Sequence, residues 1–434
     1  MTRIKKKKKK INIRKIIFFI IIIIILIAIS ILLIYKINNE KQLKRERLNQ
    51  ENLKQDIIAH YNQYVKTNKQ TDIYIQKNSE YIKIGKIGIN QEITLEDKEI
   101  TYQDEYLKIK TFNNDYYIYY KDIDKIDKLS EEKDERYKKY ILFNKNIITK
   151  DKTTFYDEEK KLIYQFNQSY ELPIIINKQD FYGVEFNNQL LYIKQEDIKE
   201  VKESKNTDQT NTDGIAVLNY HFFYDETKPS DVTKCNQVIC LSTGDLRKHL
   251  DYIKENNFFT PNMKELEMYI DGYIKLPKSV VLTIDDGWRA DIGSNIMAEY
   301  KMNGTVFLMS KDYDPNAYKN EYIEVHSHGH DLHNQGICPG GQGGAIKCLE
   351  KSKLLEDLKT SQDKLFGTTI FCYPFYEYNN YSIEVLKEAG YTMAFGGYRE
   401  AGNYKVKPGI NKYKLPRYVI YNSTNVNNIK SYLN

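Results

Sequence analysis

Tryptophan occurs once in this chain of 434 residues, proline nine times and cysteine five times. With so little proline beside 21 glycines, a collagen-like chain is excluded. The first 15 residues contain no acid and nine Lys/Arg, so the overall charge of +6 becomes −3 for the rest of the chain. A body that is not basic gives a nucleic-acid partner little support. No histidine follows His333, and no small-x-small cleavage site follows the one long apolar run. What is present is enough to build cores: 41% hydrophobic and 29% charged residues exclude a wholly disordered chain. The length suggests two or three domains.

Residues 16–35 are apolar apart from Ser30 and Tyr35. Twenty residues at ~1.5 Å each span ~30 Å, the thickness of a bilayer core. The flank before the run (Arg3, Lys5 to Lys10, Arg14, Lys15) is more basic than the flank after it. That bias predicts a cytoplasmic tail over 1–15, a single-pass signal anchor over 16–35 and an extracellular remainder. A long cleaved signal peptide is the alternative, and in either case the body is exported. The cysteine pairs Cys235/Cys240 and Cys338/Cys348 are close enough to close small loops, and disulfides are permitted outside the membrane. A zinc site built from these four is the other possibility, although the tight C-x-x-C spacing is missing. Cys372 sits in an apolar run and reads as a buried free thiol.

Residues 36–71 are charged, free of Gly and Pro, and carry a weak apolar stripe, which predicts a helical stalk. From 72 to 201 short alternating β-branched and aromatic runs predict strands. Two copies of one pattern lie there. Phe112-Asn113-Asn114 leads to Lys121-Asp122-Ile123, and Phe186-Asn187-Asn188 leads to Glu196-Asp197-Ile198. Each reads as strand, Asn-Asn turn, strand and acidic turn. They predict two small β-barrels, over 72–130 and 131–201, and resemble bacterial Src-homology-3-like wall-binding modules. A spacer without a ligand is the plain alternative. Residues 202–214 are polar and read as a linker. Residues 215–434 alternate strands with helices, which implies a parallel β/α fold with active residues at the carboxyl ends of strands.

Two sequence features there carry chemistry. Asp285 and Asp286 follow the apolar strand run 280–284, so adjacent carboxylates leave the strand in different directions. One can bind a metal while the other faces a substrate, or the pair can simply make a turn. Residues 324–333 hold four of the chain's seven histidines. Two His and one carboxylate suit zinc or a similar ion with open positions.

Thr283-Ile284-Asp285-Asp286-Gly287, then Ser327-His328-Gly329-His330-Asp331-Leu332-His333, then Phe371-Cys372-Tyr373-Pro374-Phe375 come in this order on a β/α pattern. Together they resemble the polysaccharide deacetylases, carbohydrate esterase family 4 with the NodB homology domain. The likeness is to the poly-N-acetylglucosamine-deacetylase-like branch, which includes membrane-anchored Gram-positive proteins. It implies a distorted (β/α) barrel over 215–434. It also implies a divalent ion (zinc, with cobalt, nickel or manganese possible) held by Asp286, His328 and His333. His326/His330 is the alternative register. By the same resemblance Asp285 is the general base, the backbone N–H of Phe375 an oxyanion donor, and His221, in Leu218-Asn219-Tyr220-His221, the acid that protonates the leaving amine.

Gly329 stands where the branch has Ser/Thr, and Cys372 where the wider family has Arg. Arg289 and Arg417 are the candidates for the missing charge. Tyr373, Trp288 and Arg417 are expected at the substrate, while His249 reads as a surface-helix residue. The implied reaction removes N-acetyl groups from an N-acetylglucosamine polymer, with peptidoglycan favoured over poly-N-acetylglucosamine. A catalytically inactive wall-binding protein is the alternative.

Overall fold

The computed structural model describes residues 13–110, 112, 114–130, 135–206, 211–397 and 405–434. Most of the basic tail, Asn113 of the first Asn-Asn turn and residues 207–210 of the expected linker lie outside the described residues. The chain forms two compact units: 1–132 with 161–166, and 133–160 with 167–434.

In the first unit a single helix, α1 (Ile13–His60), carries both the apolar run and the charged stretch after it. It is the one helix among the described residues that is long and apolar enough to cross a membrane. The isoleucines and leucines of its apolar run are almost all exposed, whereas Ile57 near its other end is buried, so the run is not the core of a globular domain. The helix stops at His60, short of the expected stalk end at 71, because Tyr64–Thr67 is already a strand. Val65 and Thr67 alternate inward there and are fully buried, which favours the pleated conformation.

That strand pairs antiparallel with Glu92–Thr94 and Ile123–Lys125. A second antiparallel sheet of this unit is built from Thr71–Lys77, Glu80–Ile87, Tyr106–Ile109 and Tyr116–Tyr119. It also takes Leu162–Phe166, a strand from the second repeat in sequence.

The repeat is visible as structure. The hairpin Tyr106–Ile109/Tyr116–Tyr119 runs into a 3-10 turn and the strand Ile123–Lys125. In the second unit the hairpin Phe181–Phe186/Gln189–Lys194 runs into a 3-10 turn and Ile198–Glu203. Asn187 and Asn188, at φ 53° and 55°, make the two-residue turn with both central residues left-handed that matches strand twist.

From Ala216 onward the second unit is built on a parallel sheet with helices. Its strands are β1 (Ala216–Tyr220), β2 (Val280–Ile284), β3 (Gly304–Leu308), β4 (Ile323–Ser327), β5 (Ile370–Cys372), β6 (Met393–Phe395) and β7 (Tyr418–Val419). They lie in the order β6-β5-β4-β3-β2-β1-β7. Every residue of β1, β2 and β3 is buried, as strands covered on both faces must be. The two edges are joined by the segment leading into β7, where Leu415 bridges Phe395 in parallel. This makes the sheet a distorted barrel with a ragged seam, and Arg417 lies in that seam.

The helix α2 (Thr243–Glu255) corrects the reading of His249. Leu246, His249, Leu250 and Ile253 form one face, and His249 is fully buried. Its Nε2 lies 3.1 Å from the carbonyl of Thr424 and its Nδ1 3.4 Å from the Tyr220 hydroxyl, which suits a neutral ring. Burial lowers its pKa from 6.5 to about 4 against the raising effect of the Thr424 carbonyl. Between those values the unfolded chain binds a proton that the folded ring refuses. Stability is therefore complete above pH ~6.5 and falls by about 3 kcal/mol as pH drops toward 4. In urea titrations at pH 7 and 4.5, His249→Gln will lack this share of the loss. An equal loss in both proteins would refute the assignment.

Candidate active site

Asp285 and Asp286 stand immediately beyond the carboxyl end of β2, and both are buried. The Asp285 N–H donates to Tyr220 O, which ties it to the end of β1. Asp286 then takes a left-handed φ of 74°, and this turn sends the two carboxylates apart. His328 follows β4 directly, and its N–H donates to Leu308 O at the end of β3.

The loop after β4 explains the five-residue spacing. Gly329 has φ 88°, and a Cβ there would lie 2.9 Å from the Leu332 Cβ. Glycine in place of Ser/Thr suits this backbone. The His330 and Asp331 N–H groups donate to the Asp357 carboxylate, Leu332 is buried in the core, and His333 returns to the cleft.

Both Nε2 atoms, of His328 and of His333, lie 3.2 Å from the same Asp286 Oδ1. The three ligand atoms are within 4.8 Å of one another. Ligands of a tetrahedral zinc at ~2.1 Å are about 3.4 Å apart, so this triad has the dimensions of a metal site. The His328 Nδ1 is 2.8 Å from Cys372 O, which leaves Nε2 free to ligate. The charge state agrees. Burial raises the Asp286 carboxyl, but the hydrogen bonds to His328 and His333 outweigh it and hold it well below the usual carboxylate range. Burial likewise lowers the His333 pKa, and Asp286 outweighs it in the other direction, so the ring is pushed up. The meeting point of the three side chains thus favours positive charge.

The alternative pair goes elsewhere. The His326 Nδ1 is 2.7 Å from the Thr368 hydroxyl, and the His330 Nδ1 is 3.0 Å from the Ser310 hydroxyl.

Asp285 is not part of that triad. Arg417 grips it with two bonds, NH1 to Oδ1 at 2.7 Å and NH2 to Oδ2 at 2.8 Å. Burial raises the Asp285 pKa and the guanidinium more than reverses this, so the group is lowered and stays ionised. Arg417 also donates to Gly396 O and lies 3.1 Å from the Cys372 sulfur. Thus the small Cys372 leaves room for a charge arriving from β7. Arg289 serves another purpose, donating to Phe223 O and pairing with Asp231.

Two expected substrate residues are corrected here. Arg417 is fully buried behind Asp285, and Tyr373 is fully buried with its hydroxyl on Tyr413 O, so neither reaches a sugar. Trp288 packs edge-on against Phe222, beside the Cys235–Cys240 bridge.

The remaining parts meet in one cleft of about 400 Å³ lined by Asp285, Asp286, His328, His333, Phe375 and His221. Phe375 has φ 58° and its N–H has no partner among the described residues; its ring packs on His333 at 4.3 Å. His221 is 7% exposed, and burial lowers its pKa against the pull of Asp286 and Asp285.

Both disulfides are formed, Cys235–Cys240 and Cys338–Cys348, and Cys372 is a buried free thiol. The first bridge closes a loop whose Gln237, Val238 and Ile239 line the cleft. The second closes the loop that carries Gln342, and Gln335 just before it lines the cleft as well. Glu377, buried, clamps that second loop by accepting from the N–H groups of Gln342 and Gly344.

Sequence reasoning did not single out Tyr376, Asn219 or Asp357. Tyr376 directly follows the segment Phe371 to Phe375, but its role depends on a left-handed turn that no local propensity announces.

Residues 274–394 match the family model for polysaccharide deacetylase. This part of the chain is a polysaccharide deacetylase domain. The matched stretch includes Asp285, Asp286, His328, His333 and Phe375, while His221 and Arg417 lie outside it. YxkH of Bacillus subtilis (strain 168), a protein named for polysaccharide deacetylation, is 23% identical over 188 residues, 39% of this chain and 67% of that protein. Among solved structures, a de-N-acetylase from Aggregatibacter actinomycetemcomitans is similar at 19% identity and TM-score 0.42, over 51% of this chain and all of that one. The Streptococcus pyogenes deacetylase PplD, solved with acetate, is similar at 15% identity and TM-score 0.43, over 52% of this chain and all of that one. The deacetylase domain acts on polysaccharide.

Proposed function

We propose that this deacetylase is a metal-dependent N-deacetylase of an N-acetylglucosamine polymer, anchored by α1 with its catalytic unit outside the cell. The observation that carries the reading is the convergence of the Asp286/His328/His333 triad, the Arg417-bound Asp285 and His221 in one cleft.

Asp286, His328 and His333 would hold the ion, with zinc favoured by the two-imidazole, one-carboxylate set. When bound, such an ion polarises a carbonyl and acidifies water. Asp285, held ionised by Arg417, takes the proton of the attacking water. The unpartnered Phe375 N–H donates to the oxyanion of the tetrahedral intermediate. His221 protonates the departing sugar amine. The deacetylated product is cationic, so the reaction changes the charge of the polymer.

Peptidoglycan is favoured over poly-N-acetylglucosamine as substrate. Beyond residue 35 the helix α1 continues for ~38 Å at ~1.5 Å per residue, which leads the chain from the membrane toward nearby wall.

The test is acetate release from purified peptidoglycan and from poly-N-acetylglucosamine, using the full chain in detergent with zinc restored. Asp285→Asn should lower kcat by about 10²–10⁴-fold at unchanged metal content. Release from poly-N-acetylglucosamine alone would overturn the peptidoglycan preference. Absence of release from both, with no metal retained, would favour a wall-binding protein.

A further inference from the structure

His221 lines the cleft, and its ring holds one buried polar atom without a partner. Its Nδ1 is enclosed and makes no hydrogen bond, whereas its Nε2 lies 3.1 Å from the Tyr376 hydroxyl. Which nitrogen carries the ring proton can be read from the groups behind that hydroxyl.

Asn219, fully buried in β1, donates from Nδ2 to Tyr220 O at 3.2 Å. Its Oδ1 therefore faces the Tyr376 hydroxyl, at 2.9 Å. The flipped amide would set two oxygens against each other at the Tyr220 carbonyl. An amide oxygen only accepts, so the single hydroxyl proton of Tyr376 is spent on Asn219. The hydroxyl oxygen can then only accept from the ring, and Nε2 must carry the hydrogen. A neutral imidazole has one N–H, so Nδ1 is left with a bare lone pair.

We propose that Asn219 and Tyr376 are positioning residues that hold His221 in its Nε2–H tautomer, making Nδ1 the atom that takes up and delivers the catalytic proton. This rests on the reading of His221 as the group that protonates the leaving amine.

The surroundings are built to hold this arrangement. Phe375 and Tyr376 are consecutive non-glycine residues at φ 58° and 62°. Left-handed backbone at such residues costs about 1–3 kcal/mol each and persists where neighbours impose it. A Cβ on Gly397 would lie 2.5 Å from the Tyr376 ring, so a glycine backbone is what admits the ring. Burial keeps the Tyr376 phenol neutral, with its pKa well above the ordinary value.

The protons balance over one turnover. Water adds to the acetyl carbon and passes one proton to Asp285. The C–N bond breaks with its electron pair on nitrogen, and the Nδ1 proton joins that nitrogen. The ring is left as the neutral Nε2–H form. Asp285 returns its proton through solvent, and Nδ1 is protonated again.

The test uses the full-length zinc-loaded protein in detergent, labelled with 15N-histidine. Long-range 15N–1H correlation spectra report the tautomer, and the His221 signals are assigned by their loss in His221→Gln. The expected spectrum shows His221 protonated on Nε2 and bare on Nδ1. Tyr376→Phe should abolish that fixed tautomer. It should lower kcat about 10–100-fold, with KM within about twofold and bound zinc unchanged. A neutral His221 protonated on Nδ1 and bare on Nε2 in the wild type overturns the proposal without any variant, so a misfolded Tyr376→Phe does not protect it. Wild-type kcat in a folded Tyr376→Phe overturns it as well. Wild-type kcat in His221→Gln, with the Nε2–H tautomer present, removes instead the proton-donor reading on which the relay depends.

Discussion

Asp286→Ala is expected to abolish retention of a stoichiometric divalent ion and to lower the deacetylation rate by on the order of 10³-fold or more. The reason is positional. Asp286 Oδ1 is the one atom that both ring nitrogens approach, each at 3.2 Å. Removing it leaves two imidazoles without the carboxylate oxygen that joins them, since Asp285 is held by Arg417 instead. A lost Lewis acid forfeits several kcal/mol of transition-state stabilisation, and each 1.36 kcal/mol is tenfold in rate. Metal content after dialysis and acetate release on the same preparation measure both effects. Retention of the ion together with normal activity would sink the assignment of the triad.

Arg417→Met should be the most damaging single change to stability, at about 3–5 kcal/mol. Met is close in length and apolar, so the loss comes from the charge. Arg417 and Asp285 are both enclosed, and they hold each other through two bonds. Without the guanidinium, Asp285 is a buried, unpaired carboxylate. Its pKa would then rise, and kcat should fall at neutral pH because the base is protonated. The double variant Arg417→Met/Asp285→Asn removes the uncompensated charge and should recover much of the lost stability. Thermal melts of the wild type, both single variants and the double form a cycle that isolates this pair. Additive losses would show that the two side chains do not depend on each other.

The reach of the sequence can be judged residue by residue. Asp285, Asp286, His328 and His333 stood out because short segments carry them, each beside the end of an apolar strand. The two short cysteine loops were legible for the same reason. Arg417 was noticed as one of two candidates, with Arg289, for the charge that orients Asp285, but the choice between them was not legible. The link between positions 285 and 417 exists only because the barrel closes through the seam at Leu415, and no local pattern encodes that closure. His249 is a different failure: Leu246, His249, Leu250 and Ile253 follow helical spacing, so the inward face was written in the sequence and the histidine was placed on the wrong side of it. The end of α1 at His60 was missed because charged residues continue past it, while Val65 and Thr67 are drawn into a sheet with partners about 28 and 58 residues away in sequence. Leu162–Phe166 joins the first unit in the same way, by pairing at long range with Glu80–Ile87. Side-chain identity is local information, whereas pairing and closure are not.

The two walls of the cleft that are closed by Cys235–Cys240 and Cys338–Cys348 have a consequence for when the protein becomes competent. The aspartates and histidines are positioned by the barrel, but Gln237 to Ile239 on one side and Gln342 on the other are held by covalent bonds that a reducing compartment does not keep. A newly made chain can therefore fold its barrel and assemble its polar centre before the polymer-facing walls are fixed. Their setting waits for an oxidant. Reduction of the two bridges is expected to loosen these walls while the barrel keeps the aspartates and histidines in place.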